Sequence, residues 1–295
     1  MKSQLLFERP DFIPVFNSFQ RFKNKQVGIT GYRGVLGGIL YRKFLEKKIK
    51  VVAYPGDILD IPTLQRWFDK NRFDYFFHFA AVVPIDTVDK DPIKAYSTNA
   101  IGTFNISEAI VESQPDCWLF LASSSHIYKP NLLKSRRKIK TSDDEGPVSL
   151  YGKSKLAGEK ISTPFLKYFD REYCIGRIFS FASLSQKEPF LIPSLIRKIE
   201  KLNDGDILQI NNHLSIRDIM DAESVIDSIL YLALSKYRGI INIGSGKAIT
   251  VKKIAENIAE KLNKKIIVKG TNQKYSNSLV ADISELKKII NMRIK

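Results

Sequence analysis

The sequence predicts an α/β protein: a Rossmann-type, doubly wound parallel sheet followed by a smaller C-terminal α/β lobe. Continuous apolar runs alternate with stretches of helical spacing, which indicates a parallel sheet covered on both faces. A glycine-rich turn follows the first apolar run, as in dinucleotide-binding sheets. The chain has 295 residues, 44% of them hydrophobic, which excludes a disordered chain and suits one large domain with a lobe.

The elements follow in order along the chain. Residues 1–24 precede the first clear strand and are interpreted as an N-terminal arm with a short helix over 14–21. Strands are predicted over 26–30, 50–54, 74–80, 117–124, 172–179, 207–210 and 239–244. Helices are predicted over 35–47, 62–70, 92–112, 149–168, 189–202, 221–235 and 250–262. We therefore expect a large domain of residues 25–179 with 216–246, and a lobe of residues 180–215 with 247–295.

The chain is strongly basic, with 47 Lys and Arg against 31 Asp and Glu and a net charge of +16. Basic runs over 129–140 and 252–274 carry much of this charge. This positive charge is compatible with a partner such as nucleic acid, anionic lipid or an anionic small substrate. It is also compatible with a lysine-rich solvated surface. The basic runs are not interleaved with aromatic residues and carry no nucleic-acid motif, so a nucleic-acid partner is not expected.

No apolar run reaches the ~18 residues of a membrane helix, and the first residues do not read as a secretory signal. Cys117 and Cys174 lie in separate apolar runs and predict no disulfide framework. We therefore expect a cytoplasmic protein without a membrane partner.

The glycine turn consists of Gly31, Gly34 and Gly37, with four residues between them: Tyr32, Arg33, Val35 and Leu36. Glycines at this spacing allow a tight turn, a close approach of the backbone to a pyrophosphate, and close packing of helix on strand. The N-terminus of the following helix faces the phosphates in such sites. The strand–turn–helix context predicts a dinucleotide site, and the alternative is a turn with packing value only.

The sequence favours NADP over NAD as the dinucleotide. An NAD site usually has an acidic residue near the end of the second strand, and here the strand ends Val52-Ala53-Tyr54-Pro55. Arg33, inside the glycine turn, can pair with a 2′-phosphate. Asp57 follows shortly afterwards and has two interpretations, an acceptor for the adenine amino group or a cap at the approach to the next helix.

Tyr151 and Lys155 are four residues apart in a predicted helix, so they share one face. A nearby ammonium favours the phenolate, and Tyr151 can then exchange a proton with a substrate hydroxyl or carbonyl. The preceding strand ends at Ser124, and functional groups gather at such strand ends. Taken alone, Tyr151 and Lys155 could equally be an aromatic–cation pair on the protein surface. The serine could equally do no more than end the strand.

These motifs together resemble the extended short-chain dehydrogenase/reductase family, which comprises nucleotide-sugar epimerases, dehydratases and ketoreductases. The resemblance covers roughly residues 25–290. It rests on the glycine turn, Asp57-Ile58, His78-Phe79-Ala80-Ala81, Asn99, Ser124, Tyr151 with Lys155, Arg217-Asp218 and residues 242–246. It implies an NAD(P)-binding domain, a substrate-binding lobe and a homodimer formed through the helices over 92–112 and 149–168.

The resemblance also implies individual roles. Tyr151 would be the general acid/base, Lys155 would hold the nicotinamide ribose and lower the tyrosine pKa, and Ser124 would orient the substrate oxygen. Asn99 would organise a proton-relay water through its backbone. Arg217 would bind the diphosphate of the sugar nucleotide, with a structural Arg217-Asp218 pair as the alternative. The other implied cofactor-binding residues are Asp57, Ile58, Phe79, Ala80 and Ala81.

Three departures from the family pattern narrow the expected reaction. Dehydratases usually carry an Asp and a Glu directly after the strand serine or threonine, where this chain has Ser125 and His126. The connection after the second strand is short, as in the 4-ketoreductases. Ser180 stands where an Asn commonly touches the substrate.

We therefore expect an NAD(P)-dependent reductase of a 4-keto (4-keto-6-deoxy) nucleotide sugar, serving surface-polysaccharide or deoxysugar biosynthesis, without a metal. A nucleotide-sugar 4-epimerase with tightly held NAD is the alternative, and a 4,6-dehydratase or a non-catalytic nucleotide-binding protein is less favoured. His126 has two interpretations, an acid or base near neutrality and a hydrogen-bonding wall residue. The expected substrate-binding residues are Ser125, His126, Ser180 and Arg217.

Overall fold

The computed structural model describes residues 7, 9–83, 85–131, 137–271 and 276–294. The strands are β1 (Gln26–Thr30), β2 (Lys50–Ala53), β3 (Tyr75–His78), β4 (Trp118–Ser124), β5 (Tyr173–Ile178), β6 (Ser180–Ala182), β7 (Ile207–Ile210), β8 (Ile216–Arg217), β9 (Ile219–Asp221), β10 (Gly239–Ile243), β11 (Ile249–Thr250), β12 (Ile267–Gly270) and β13 (Ser278–Leu279). The helices are α1 (Val35–Glu46), α2 (Ile61–Asp69), α3 (Ile85–Lys90), α4 (Pro92–Tyr96), α5 (Gly102–Ser113), α6 (Leu150–Tyr168), α7 (Leu191–Glu200), α8 (Ala222–Ser235), α9 (Val251–Lys261) and α10 (Ser284–Ile294).

Six strands form the central sheet in the order β2-β1-β3-β4-β5-β10, and every neighbouring pair is parallel. The predicted Rossmann-type parallel sheet is confirmed. β2 lies on one side of β1 and β3 on the other, so the strand order reverses there. In such sheets ligands bind beyond the carboxyl ends of the strands at this reversal. The glycine turn after β1 and the segment after β3 both lie at that edge.

Helices cover both faces of the sheet, as the apolar strands predicted. On one face, α1, α8 and α10 share a core cluster with the N-terminal arm, and it includes Phe44 and Ile290. On the other face, α2, α5 and α6 form a second cluster, which includes Phe68 and Leu166. A third cluster lies between α7, α9 and the parallel pair of β7 and β12.

The N-terminal arm packs against the large domain, and the helix predicted over 14–21 is wrong. The regular structure there is one 3₁₀ turn, Phe19–Phe22, while residues 1–6 and 8 lie outside the described chain. Phe16 contacts Tyr231 of α8 with ring centroids 5.1 Å apart, and Phe22 contacts Phe44 of α1 at 5.4 Å. Because these rings insert separately into the core, the arm follows that surface rather than forming its own helix.

The helix predicted over 92–112 is interrupted. α4 and α5 are joined by a π-helical turn, Ser97–Ile101. Such turns recur at functional sites, because the extra residue re-aims the side chains of the turn.

The final segment also differs from expectation, because β12, β13 and α10 were not predicted. Leu286 and Ile290 of α10 belong to the core cluster that α1 and α8 form on one face of the central sheet. The division of the chain into two lobes stays a prediction.

Candidate active site

The glycine turn between β1 and α1 packs too closely for side chains. Gly31 has a φ of +71°, and a Cβ there would lie 2.5 Å from the backbone N of Ala80. A Cβ on Gly37 would lie 2.4 Å from the Gly31 carbonyl oxygen. Gly34 is the N-cap of α1. The turn thus forms a cradle at a helix N-terminus, which fits the pyrophosphate of a dinucleotide.

The other predicted cofactor residues surround this cradle. Arg33 is exposed, and its guanidinium carbon lies 5.2 Å from the ring centroid of Tyr32. Leu36 and Ile58 are buried. The half-buried members of the same edge are Val35, Phe79, Ala80 and Ala81.

Asp57 lies in the loop between β2 and α2. Its exposed carboxylate accepts a hydrogen bond from the backbone N of Leu59 at 3.0 Å, and its carbonyl accepts one from the Tyr54 hydroxyl at 3.1 Å. The N-cap of α2 is Asp60, which accepts from the backbone N of Thr63. Asp57 therefore forms a local turn rather than the cap itself, and its adenine contact stays a prediction.

Tyr151, Ser124 and Lys155 come together where β4 ends and α6 begins. Tyr151 and Lys155 are 9% and 6% exposed. Burial raises the pKa of Tyr151, and a hydrogen bond with Ser124 acts in the opposite direction. Burial lowers the pKa of Lys155 to about 8, and the charge of Glu159 opposes that shift. The tyrosine pKa in this fold is thus raised by burial, and not lowered as expected from Lys155.

Asn99 lies in the π-helical turn and is 1% exposed. Its amide oxygen accepts from the backbone N of Val82 at 2.8 Å, and its amide nitrogen donates to the Val82 carbonyl at 2.9 Å and to the Ser154 hydroxyl at 3.0 Å. The side chain therefore fastens three segments: the loop after β3, the π-helical turn and α6. Its predicted relay of protons remains a prediction.

His126 lies beside Tyr151 and close to Arg217. The rings of His126 and Tyr151 meet edge to face with centroids 5.7 Å apart. Burial, and then the charge of Arg217, lowers the pKa of His126 to about 4, so its imidazole is neutral at pH 7. Arg217 donates to the amide oxygen of Asn277 at 2.8 Å.

The remaining predicted substrate residues are Ser125 and Ser180. Ser125 is 3% exposed, and Ser180 is half-buried at the start of β6. Asp218 does not direct its carboxylate to Arg217; it accepts from the backbone N of Ser245 at 2.7 Å and of Gly246 at 2.8 Å. Of the two residues in Arg217-Asp218, Asp218 has the structural role, because its carboxylate holds the turn after β10.

A buried ion cluster behind Tyr151 and Lys155 was not predicted. Arg177 of β5 is 1% exposed and donates from Nη2 to Glu159 at 2.7 Å and to Glu145 at 2.8 Å. Its Nε donates to both Glu159 oxygens, at 3.2 and 3.1 Å, and its Nη1 donates to the Tyr128 hydroxyl at 3.0 Å. The Ser123 hydroxyl also donates to Glu159. The sequence signal for this cluster is Arg177, a charged residue within an otherwise apolar strand.

His78 belongs to a buried chain of hydrogen bonds that leads to Asn99. The Thr103 hydroxyl donates to the Asn99 carbonyl at 2.8 Å, so it accepts from Nε2 of His78 at 3.1 Å. Nδ1 is then assigned as the acceptor of a bond from the Thr30 hydroxyl at 2.7 Å. Burial lowers the pKa of His78 to about 3, so this neutral tautomer persists at pH 7.

Within the described ranges, no group of three or more His, Cys, Asp and Glu side chains is placed to hold a metal ion. Over the same residues, none of the helices has the length and apolar character to cross a membrane. Cys117 and Cys174 are free and buried. Parts of the two basic runs, at 132–136 and 272–275, lie outside the described residues.

Curated relatives share moderate similarity with the chain. It is 27% identical to the UDP-glucose 4-epimerase of Halalkalibacterium halodurans, over 70% of this chain and 66% of that protein. It is 24% identical to the dTDP-D-glucose 4,6-dehydratase of Dictyostelium discoideum, over 81% and 56%, and 27% identical to the dTDP-4-dehydrorhamnose reductase of Mycolicibacterium smegmatis, over 46% and 41%. The chain thus spans less than two thirds of the length of these relatives.

Solved structures share the fold. RMD from Pseudomonas aeruginosa complexed with NADPH superposes with a TM-score of 0.79 at 19% identity, covering 90% of this chain and 92% of that one. UDP-glucose 4-epimerase from Thermus thermophilus in complex with NAD gives 0.76 at 18% identity, covering 89% and 92%.

The sheet therefore has the short-chain dehydrogenase/reductase fold. Within that class, the family model described as GDP-mannose 4,6 dehydratase matches residues 40–293. The chain belongs to this family of NAD-dependent nucleotide-sugar epimerases and dehydratases.

Proposed function

We propose that this protein is an NAD(P)-dependent oxidoreductase that reduces the 4-keto group of a nucleotide-activated, 4-keto-6-deoxy sugar. The observation that carries the proposal is the buried Tyr151, hydrogen-bonded to Ser124 and one helical turn from Lys155. This group lies at the carboxyl ends of the strands, the edge that also holds the glycine cradle. The reaction would serve deoxysugar or surface-polysaccharide biosynthesis in the cytoplasm.

The residues of the site have distinct roles in this reaction. Gly31, Gly34 and Gly37 leave room for the pyrophosphate, and Lys155 holds the nicotinamide ribose. When bound, the nicotinamide supplies a hydride to the carbonyl carbon. Ser124 donates a hydrogen bond to the carbonyl oxygen, and Tyr151 gives its hydroxyl proton to that oxygen as negative charge develops there.

Lys155 and Asn99 support that proton transfer. The buried Lys155 ammonium favours the phenolate that Tyr151 becomes after giving up its proton. Asn99 holds the π-helical turn against α6, and its backbone would organise the water that returns a proton to the site.

Arg217 and His126 support a nucleotide-sugar substrate. A guanidinium suits bidentate contact with a diphosphate, and Arg217 stands near His126, which in turn contacts Tyr151. A neutral imidazole can both donate to and accept from sugar hydroxyls. The acid or base interpretation of His126 is disfavoured, because a pKa of about 4 leaves the imidazole without the second proton of a general acid at pH 7 and makes it a weak base. Ser125 and Ser180 complete this side.

Two observations favour reduction over the other reactions of the family. The positions directly after Ser124 carry no carboxylate, whereas elimination of water needs a tuned acid and base. The loop from β2 to α2, which the structure describes throughout, contains no additional strand, as in the short connection typical of ketoreductases. NADP is favoured over NAD by the exposed Arg33 in the glycine turn.

The test is turnover on a panel of nucleotide sugars and their 4-keto derivatives with NADPH and NADH. Net oxidation of NADPH with a 4-keto substrate supports the proposal. Redox-neutral turnover by protein that carries bound NAD identifies the 4-epimerase alternative, and loss of water identifies a dehydratase. Tyr151→Phe is expected to abolish turnover while cofactor binding persists, and full activity in this variant contradicts the mechanism. Nucleotide binding without any turnover indicates a non-catalytic protein.

A further inference from the structure

The buried ion cluster lies directly behind the proposed acid/base pair, and the proposed reaction leaves it without a task. Two carboxylates, Glu145 and Glu159, face the single guanidinium of Arg177. Glu145 has a second cation, Lys160, at 2.6 Å. Glu159 interacts through its charge with Lys155, which lies one helical turn earlier on the same face of α6.

The Glu159 carboxylate cannot turn away from Lys155 easily. Three hydrogen bonds from Arg177, at 3.2, 3.1 and 2.7 Å, and one from the Ser123 hydroxyl hold its two oxygens. Its side chain is 6% exposed. A carboxylate fixed in a poorly hydrated place acts strongly on a nearby charge, because water screens it little.

Lys155 needs such a partner. Its ammonium is buried, and burial disfavours the charged form. The titratable groups that face it are Tyr151 and Glu159 from its own helix and His78 from β3. Tyr151 and His78 are neutral at pH 7, so Glu159 supplies the negative charge.

We propose that Glu159 is a positioning residue that keeps Lys155 in its ammonium form at neutral pH, with Arg177 and Ser123 holding the carboxylate in place. This rests on the proposed function, in which the Lys155 ammonium binds the nicotinamide ribose. The cluster then links β4 and β5, which carry Ser123 and Arg177, to the affinity for the cofactor. The expected consequence is a pH dependence of cofactor binding that Glu159 sets.

The experiment measures NADPH binding by its fluorescence between pH 6.5 and 10, with no substrate present. The native protein is expected to lose affinity with a midpoint near the Lys155 pKa of about 8. Glu159→Gln keeps the size and the acceptor oxygen but removes the charge, so the midpoint is expected to fall by on the order of one pH unit. Glu145→Gln is the matched control, because it removes the other carboxylate bonded to Arg177, and its midpoint is expected to stay in place.

Glu159→Asp is a second variant in case Glu159→Gln does not fold. It keeps the carboxylate charge that Arg177 needs and moves that charge away from Lys155. It is expected to lower the midpoint by a smaller step. An unchanged midpoint in the folded Glu159 variants, an equal shift in Glu145→Gln, or a native affinity that does not change near pH 8 overturns the inference. Absence of sugar turnover with these binding shifts intact contradicts only the proposed function.

Discussion

The side-chain amide of Asn99 donates a 3.0 Å hydrogen bond to the hydroxyl of Ser154, which joins the π-helical turn to α6 between Tyr151 and Lys155. The same amide bonds both backbone groups of Val82. One side chain therefore sets the distance between the loop after β3, where the cofactor is expected, and the helix that carries the acid/base pair.

Asn99→Ala is expected to lower the free energy of unfolding by about 1 to 3 kcal/mol, because it leaves the partly buried backbone groups of Val82 unpaired. Turnover of the folded protein should fall as well. Urea unfolding and turnover at saturating substrate are the measurements. Gln114→Ala is the control: this buried amide bonds the carbonyls of Phe68 and Asn71 on the opposite edge of the sheet, so it should cost stability without reducing turnover. Equal turnover in both variants contradicts the assignment of Asn99.

Alanine substitutions at Gly37 and Gly34 are expected to affect stability and cofactor affinity to different extents. A Cβ on Gly37 meets the backbone of Gly31 at 2.4 Å, so Gly37→Ala should destabilise the protein by about 1 to 3 kcal/mol even without cofactor. A Cβ on Gly34 lies 3.2 Å from the Gly31 carbonyl oxygen, which must move by only a few tenths of an ångström, so Gly34→Ala should lose less stability than Gly37→Ala and should lose affinity for the dinucleotide as well. Thermal unfolding with and without NADPH distinguishes the two. A Gly34→Ala protein with unchanged affinity argues against a pyrophosphate at this turn.

Arg33→Ala is expected to weaken NADPH binding about tenfold or more and to leave NADH binding nearly unchanged, because a charge-assisted bond to the 2′-phosphate is lost. Arg72→Ala serves as the control. That exposed arginine precedes β3 and so lies at the opposite edge of the sheet. Titration of both dinucleotides by fluorescence gives the ratio of affinities. Tighter binding of NADH than of NADPH in the native protein, with no effect of Arg33→Ala, reverses the cofactor assignment.

The buried histidines predict acid sensitivity. The unfolded chain binds a proton on His126 below about pH 6.5, whereas the folded protein does not until about pH 4. The free energy of unfolding should therefore fall as the pH is lowered through this window, and His78 adds a loss that continues to about pH 3. Urea unfolding at several pH values should show a shallower decline for His126→Asn than for the native protein. Parallel curves exclude this contribution.

A homodimer is expected through α5 and α6. Ile161 is 37% exposed and Tyr168 is 83% exposed on α6, an apolar surface that a second copy would cover. Sedimentation should give twice the monomer mass, and Ile161→Glu should shift the protein towards monomer. Leu45→Glu alters an equally apolar side chain, 50% exposed on α1, and should leave the mass unchanged. A native monomer at micromolar concentration excludes the interface.

The central sheet and the members of the candidate site were predictable from sequence because each depends on neighbours along the chain. The spacing of Gly31, Gly34 and Gly37 follows from one turn, and the Tyr151 and Lys155 pair follows from helical periodicity. The path of the arm was not predictable in this way. The spacing of its aromatic residues fits a helix equally well. Their actual path depends on contacts with Tyr231 and Phe44, which lie far along the chain.

The sequence by itself determined the α/β class, the order of the motifs along the strands and which residue types stand at the strand ends. The tertiary structure determined how those residues are held and charged. Glu159 meets Arg177 from 18 positions away, and His78 meets Thr30 from 48 positions away. Patterns of neighbouring residues in the sequence do not predict such distant pairs. Their physical effect, the charge state of Lys155 and the neutral form of His78, arises because folding removes them from water.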